Sequence, residues 1–316
     1  MKRGTIGALI ATIPVQNTLG EGAIWDGQSD CIWWTDIENA HIFQYQLLTQ
    51  KLVTHEMPMR VGCFALTERE GQLIVAFDIG IAHYHYHTKQ LTWIATPEKH
   101  LLNHRFNDGR VDRQGRFWAG TMVEDITSSV LPRTLHQGIK RYGKNAEPLG
   151  ALYCVDSHNH TLQVLDGIGI SNSLCWSPDS KILYHADSTQ RQIIQYNFDP
   201  SSAKLSQPRL FANTPIGIFP DGAEVDAEGY VWVALWGGGS VVRFSPDGEI
   251  DLTLPLPVSN PTSVAFGGPH LDWLIITSAR HSLSQTILAN EPLAGNVFIY
   301  QLNDVHGLAS PRFNGV

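Results

Sequence analysis

The sequence predicts an all-β fold, a six-bladed β-propeller, on three observations. A strand–turn–strand pattern recurs six times along the 316 residues. Four of the six copies open on a residue type that binds cations, and period-2 patterning leaves no helix longer than two turns. The copies open at Glu21, Gly62, Asn107, Asn172, Asp221 and Thr262, spaced 41, 45, 65, 49 and 41 residues apart. Repeats of that length with strand content correspond to one propeller blade each.

Each copy is built alike. Four residues after its opening stands an apolar residue: Trp25, Leu66, Val111, Trp176, Val225 and Phe266. A small turn residue follows in most copies (Ser29, Gly71, Gly115, Ser180, Gly229), where the backbone must reverse. A bulky side chain comes next, at Trp33, Leu73, Trp118, Tyr184, Trp232 and Trp273. In the first blade the third and fourth strands fall at residues 40–47 and 51–56, and residues 6–15 form a strand that helps close the ring.

Closed all-β folds of this length form one domain, so residues 1–316 are expected to be a single propeller. A 43% hydrophobic and 16% charged composition suits many half-buried strands, and nine Trp and twelve Phe supply the filling between blades. Net charge is −8 with no Lys/Arg run, which argues against nucleic acid as a partner. Four cysteines without a C-x-x-C spacing read as buried reduced thiols. The apolar stretch at residues 6–13 is too short and too interrupted for a signal peptide, and no run reaches membrane-helix length. The expectation is a cytoplasmic monomer or small homo-oligomer. Two stretches exceed the repeat. Residues 124–150, with Pro132, Arg133, Lys140, Arg141, Lys144 and Pro148, are expected to be a pocket wall or lid. Residues 282–295 interrupt the last blade.

Equivalent positions of a propeller stand at equal height around one axis. Glu21, Asn107, Asn172 and Asp221, spread over about 200 residues, should therefore converge. Glu21, Asn172 and Asp221 offer two carboxylates and an amide oxygen, a charge of −2 that matches a divalent ion. Hard oxygen donors favour Ca²⁺, Mg²⁺ or Mn²⁺. Three protein ligands leave coordination positions for water and substrate. One such residue alone would only cap its strand; three at one repeat position make a site.

The segment around Arg105 and Asn107 is dense in polar groups and suits recognition of hydroxyls or a carbonyl; otherwise it is a turn held by Asp108 and Gly109. His83, His85 and His87 share one strand face, read as the exposed face of an outer strand. Residues 236–240, Trp-Gly-Gly-Gly-Ser, read as a hairpin turn, and no G-x-S-x-G elbow supports a serine hydrolase.

These motifs together resemble the SMP-30/gluconolactonase/luciferin-regenerating-enzyme family, which includes regucalcin and bacterial sugar lactonases. They run in order: Gly20-Glu21-Gly22, Arg105-Phe106-Asn107-Asp108-Gly109, Ala119-Gly120-Thr121-Met122, Ile170-Ser171-Asn172, Pro220-Asp221-Gly222, Phe266-Gly267-Gly268-Pro269 and Ala294-Gly295. The resemblance spans roughly residues 15–312. It implies a six-bladed propeller with a divalent cation (Ca, Mg, Mn, Zn or Fe) in the central channel, held by Glu21, Asn172 and Asp221. It places Arg105 and Asn107 at the substrate with an acid after the Thr-Met pair, here Glu124 or Asp125. The long 124–150 insertion departs from the shorter regucalcin-like pattern.

The activity expected is metal-dependent hydrolysis of a small sugar (aldono) lactone to its acid. The cation would polarise the carbonyl and Asp221 would serve as general base, with a hydroxide on the cation as the alternative. Two other classes stay open: a calcium-binding regulatory protein of regucalcin type, and a promiscuous esterase or organophosphate hydrolase on the same centre. Turnover of a lactone argues against the first, and the polar Arg105–Asn107 cluster against the second.

Overall fold

The computed structural model describes residues 5–101, 103–124 and 150–315. Within them 24 strands, β1 to β24, form six four-stranded antiparallel sheets, the six blades of a propeller. The innermost strands are β2 (Gly20–Asp26), β6 (Val61–Leu66), β10 (His104–Val111), β14 (Ser171–Trp176), β18 (Phe219–Val225) and β22 (Pro261–Gly267). Each expected copy opening lies on one of them. In blade 1 the outer strands run His41–Gln46 and Lys51–Glu56, within the predicted ranges. The predicted N-terminal strand is β1 (Thr5–Ile13), which pairs antiparallel with β24 (Val297–Asn303) and completes blade 6. The 282–295 excursion carries a short helix, α1 (Gln285–Asn290).

Burial grades outward. β6 and β14 are buried along their whole length, whereas Lys51–Glu56, an outermost strand, alternates between exposed and half-buried. Strands flanked on both sides read as continuous runs of small and apolar residues, and edge strands alternate. Neighbouring blades meet through aromatic pairs: Trp25 with Trp273 at 5.6 Å, Trp118 with Trp176 at 5.7 Å and Trp232 with Phe266 at 6.0 Å, all edge-on.

The turns after the inner strands of blades 3 and 5 are chemically specified. Asp112 accepts the backbone N–H groups of Gln114 (2.9 Å) and Arg116 (3.0 Å), and its second oxygen accepts the Trp118 indole N–H at 2.9 Å. Asp226 does the same with Glu228, Tyr230 and Trp232, each at 3.0 Å. Gly115 (φ 80°) and Gly229 (φ 89°) take the left-handed position of these turns. One Asp, one Gly and one Trp thus act as a unit that reverses the chain and satisfies a buried indole. In blade 1 the predicted Ser29 lies in the turn and the next residue, Asp30 (φ 52°), takes the left-handed position.

At this turn-bearing end the C-terminal tail crosses the propeller. It bonds to Leu271, Ala227, Leu66 and Gly115 of blades 6, 5, 2 and 3 in turn, and buries Phe313 completely. The opposite end, where the inner strands begin, holds the predicted site. All four cysteines are buried and unpaired, and 237–239 is the predicted hairpin turn between strands. The histidine expectation needs correcting. His83 is buried, its Nε2 3.0 Å from Asn159 Oδ1 and its ring against Phe313, because its strand faces the blade 2–3 seam.

Candidate metal centre and substrate pocket

Every inner strand carries a register shift at the site. In antiparallel pairing with its neighbour, the ladder slips between Glu21 and Ile24, Val61 and Cys63, Phe106 and Gly109, Asn172 and Cys175, Pro220 and Ala223, and Pro261 and Val264. A bulge re-aims the side chains beside it, and one falls at the equivalent place in each of the six blades. Two of them hold left-handed residues next to a predicted ligand: Gly22 (φ 61°) and Ser173 (φ 55°). Ser173 is a fully buried serine in that conformation, and its hydroxyl donates to the Asp221 carbonyl, which fixes the neighbouring strand.

The predicted residues are brought together. The carboxyl groups of Glu21 and Asp221 are buried close enough together to act on each other's ionisation. Burial, then the charge of Asp108, pushes Glu21 up to about 8, against the pull of the Gly22 N–H and Arg105. Burial and the neighbouring Glu21 push Asp221 far above the carboxylate range as well. Asn172 is oriented by its neighbours. Its Nδ2 donates to Ser188 Oγ at 2.9 Å, so its Oδ1 points to the axis, where Asn107 Nδ2 donates to it at 3.0 Å. An amide oxygen has two lone pairs, so one remains for a cation.

Two neighbouring carboxyls beside an oriented amide oxygen, all buried, are a donor set that fits a divalent cation, whose charge would balance both carboxylates. Among the described residues no cluster of three or more His, Cys, Asp or Glu is arranged for a metal. The candidate set has only two carboxylates and completes itself with an amide.

A second tier of charged and amide side chains stands beside this set. Arg105 Nη1 donates to Asn107 Oδ1 at 2.8 Å, and its Nε donates to Glu124 at 3.0 Å. Burial raises the Glu124 carboxyl, but hydrogen bonds from Arg60 and the charge of Arg105 prevail and hold it below its ordinary value. Asp125 and the rest of the predicted lid, residues 125–149, lie outside the described residues.

The chain matches the family model described as SMP-30/Gluconolactonase/LRE-like region over residues 19–280. The chain belongs to this family. A relative from Pseudomonas putida, 6-deoxy-6-sulfogluconolactonase, is 37% identical over 304 residues, covering 95% of this chain and 96% of that protein. Regucalcin of Macaca fascicularis is 31% identical, over 96% of this chain and 97% of its own. Among solved structures, a calcium-binding regucalcin from Agrobacterium tumefaciens superposes with a TM-score of 0.84 at 27% identity, over 96% and 97% of the two chains. The resemblance drawn from the motifs thus holds across the chain, and so does the propeller it implied.

Three elements around the family's channel escaped the sequence. Arg60 grips Glu124, as described below. Asp108, Arg110 and Glu224 line the channel beneath the site, with Arg110 Nη1 2.9 Å from Glu224. Their signal was charge inside strands that are otherwise buried. His185, next to the Asn172 strand, is buried and bonded to Ser171 Oγ at 2.9 Å. Burial pushes it down from 6.5 to about 4, against the charge of Asp187. A depressed histidine stabilises the fold fully above its unfolded value, and that contribution is lost as pH falls from about 6.5 through about 4. The loss amounts to about 3 kcal/mol at 1.36 kcal/mol per unit. His185→Gln should therefore flatten the fall in Tm between pH 7 and pH 4.5, and an unchanged slope would refute this assignment.

Proposed function

We propose that the chain hydrolyses a small sugar lactone to its aldonic acid on a divalent-cation centre held by Glu21, Asn172 and Asp221. The observation that carries this is the buried Glu21–Asp221 pair beside Asn172, joined through Asn107 to the Arg105–Glu124 tier. The named sugar-lactonase relative, alike over nearly the whole length of both chains, supports it.

A bound cation would supply Lewis-acid polarisation of the lactone carbonyl. Asp221 takes a proton from the attacking water as its oxygen bonds to the carbonyl carbon. It returns that proton to the ring oxygen as the acyl–oxygen bond breaks, leaving a hydroxy acid. Arg105 and Asn107, with Glu124 or Asp125, hold the sugar hydroxyls so that the carbonyl faces this apparatus. Calcium is the ion that the regucalcin likeness favours, and the all-oxygen donor set accepts it. A regucalcin-type calcium-binding role without turnover is the second reading, favoured by those same relatives.

A panel of aldono-1,4- and 1,5-lactones, followed by acid release with Ca²⁺, Mg²⁺, Mn²⁺, Zn²⁺ or Fe²⁺, decides between them; no turnover of any lactone with any ion would leave only the binding role. Within the panel, Arg105→Ala should cost about 1.5–3 kcal/mol of transition-state binding on a hydroxylated ring. The cost should be smaller on γ-butyrolactone, which has no hydroxyls to read. Equal losses on both rings would reassign Arg105 to the carbonyl or the fold.

A further inference from the structure

The charged rim of the pocket is duplicated between two blades. Arg60 stands two residues before Gly62 as Arg105 stands two before Asn107. Asp78 directly follows β7 (Gln72–Phe77) as Glu124 directly follows β11 (Phe117–Val123). Blade 2 therefore repeats the arginine–carboxylate pair of blade 3. It lacks only the ligand-type residue between: a Cβ on Gly62 would meet the Phe106 carbonyl oxygen at 2.3 Å, so the neighbouring backbone leaves no room for a side chain.

The two pairs are fused into one network. Arg60 Nη1 and Nη2 each donate to a Glu124 oxygen at 2.9 Å, a bidentate fork, while Arg105 Nε shares the first of those oxygens. Arg60 Nε goes to Asp78 at 3.1 Å, and its Nη1 lies 3.5 Å from Glu38. Every guanidinium nitrogen of Arg60 is thus committed to a carboxylate. The four outer side chains are between a quarter and a third exposed, so their charges are screened less than on open surface. The rim holds two guanidiniums against three carboxylates. His281 lies near the same groups, but burial lowers its pKa, so it adds no positive charge at neutral pH.

We propose that Arg60 and Asp78 are specificity-determining residues: with Glu38, Arg105 and Glu124 they form a rim whose two guanidiniums are each tied to a carboxylate, and it selects a lactone whose far end is neutral and hydroxylated over one bearing an anion. This rests on the lactonase reading above. The same rim repels the carboxylate product once the ring opens.

The test compares glucono-1,5-lactone with the same ring carrying a sulfonate at C6, as the ratio of their kcat/KM values. The unaltered protein should favour the neutral ring. Asp78→Asn should shift the ratio toward the anionic ring, and Arg60→Met, which removes a positive charge, should shift it further away. Each shift should be about three- to tenfold, the size of one charge acting across a partly hydrated pocket. Both should shrink as salt rises. A merely structural role would lower both substrates together and leave the ratio unmoved by either variant. Preference for the anionic ring by the unaltered protein, or same-direction shifts from the two variants, would overturn the inference while leaving the lactonase reading intact. Hydrolysis of neither ring by the unaltered protein would overturn that reading, and this inference with it.

Discussion

Exhaustive chelation should abolish lactone hydrolysis, and adding back a divalent ion should restore it. The expectation follows from the Glu21–Asp221 pair, whose buried neighbouring carboxyls resist ionising together without a counter-charge. Ion binding should also be visible without any substrate. A ligand at 100 times its Kd that binds only the folded chain adds about 2.7 kcal/mol of stability, so Tm should rise with metal and fall with chelator. Full activity in protein shown metal-free by elemental analysis would falsify the metal requirement.

Asp221→Asn should lower kcat by on the order of 10²-fold or more, the scale of a lost general base. Asparagine keeps an oxygen donor in nearly the same volume, so metal content should persist and separate the two roles of this side chain. The position is held from behind by Ser173, whose hydroxyl bonds the Asp221 carbonyl, so the substitution is not expected to move the strand. If metal is retained and kcat stays within about threefold, proton transfer in this site does not pass through Asp221.

The propeller and the convergence of Glu21, Asn172 and Asp221 were legible because both depend on register. A repeat fixes which residues share a height, and that alone gathers Glu21, Asn172 and Asp221 from three blades. Arg60 was overlooked for the same reason. Its copy opens on Gly62, which offers no donor to draw attention to its neighbours. Comparing the residue two places before each opening would have found it, since only Arg60 and Arg105 are basic there. The bulges were not legible. A strand buried on both faces has no alternation to break, so an extra residue leaves no mark on the hydrophobic pattern. The misplacement of His83 has a related cause: period-2 spacing shows which residues share a face, but the packing of the next blade decides whether that face is covered.

The seam between β1 and β24 has a consequence for when this protein comes into being. Thr5–Ile13 pairs with Val297–Asn303, so the ring closes by joining segments about 290 residues apart. Joining such distant segments is slow, because chain entropy is lost before the contacts that reward it form. Glu21 lies only eight residues past that strand, and the Gly20 carbonyl beside it receives the Thr262 hydroxyl of blade 6. During synthesis Glu21 therefore emerges about 240 residues ahead of the blade 6 residues that surround it. A nascent chain short of the last blade would expose the acidic pair to water instead of enclosing it. Ion affinity should then arrive in one step with ring closure, not accumulate blade by blade.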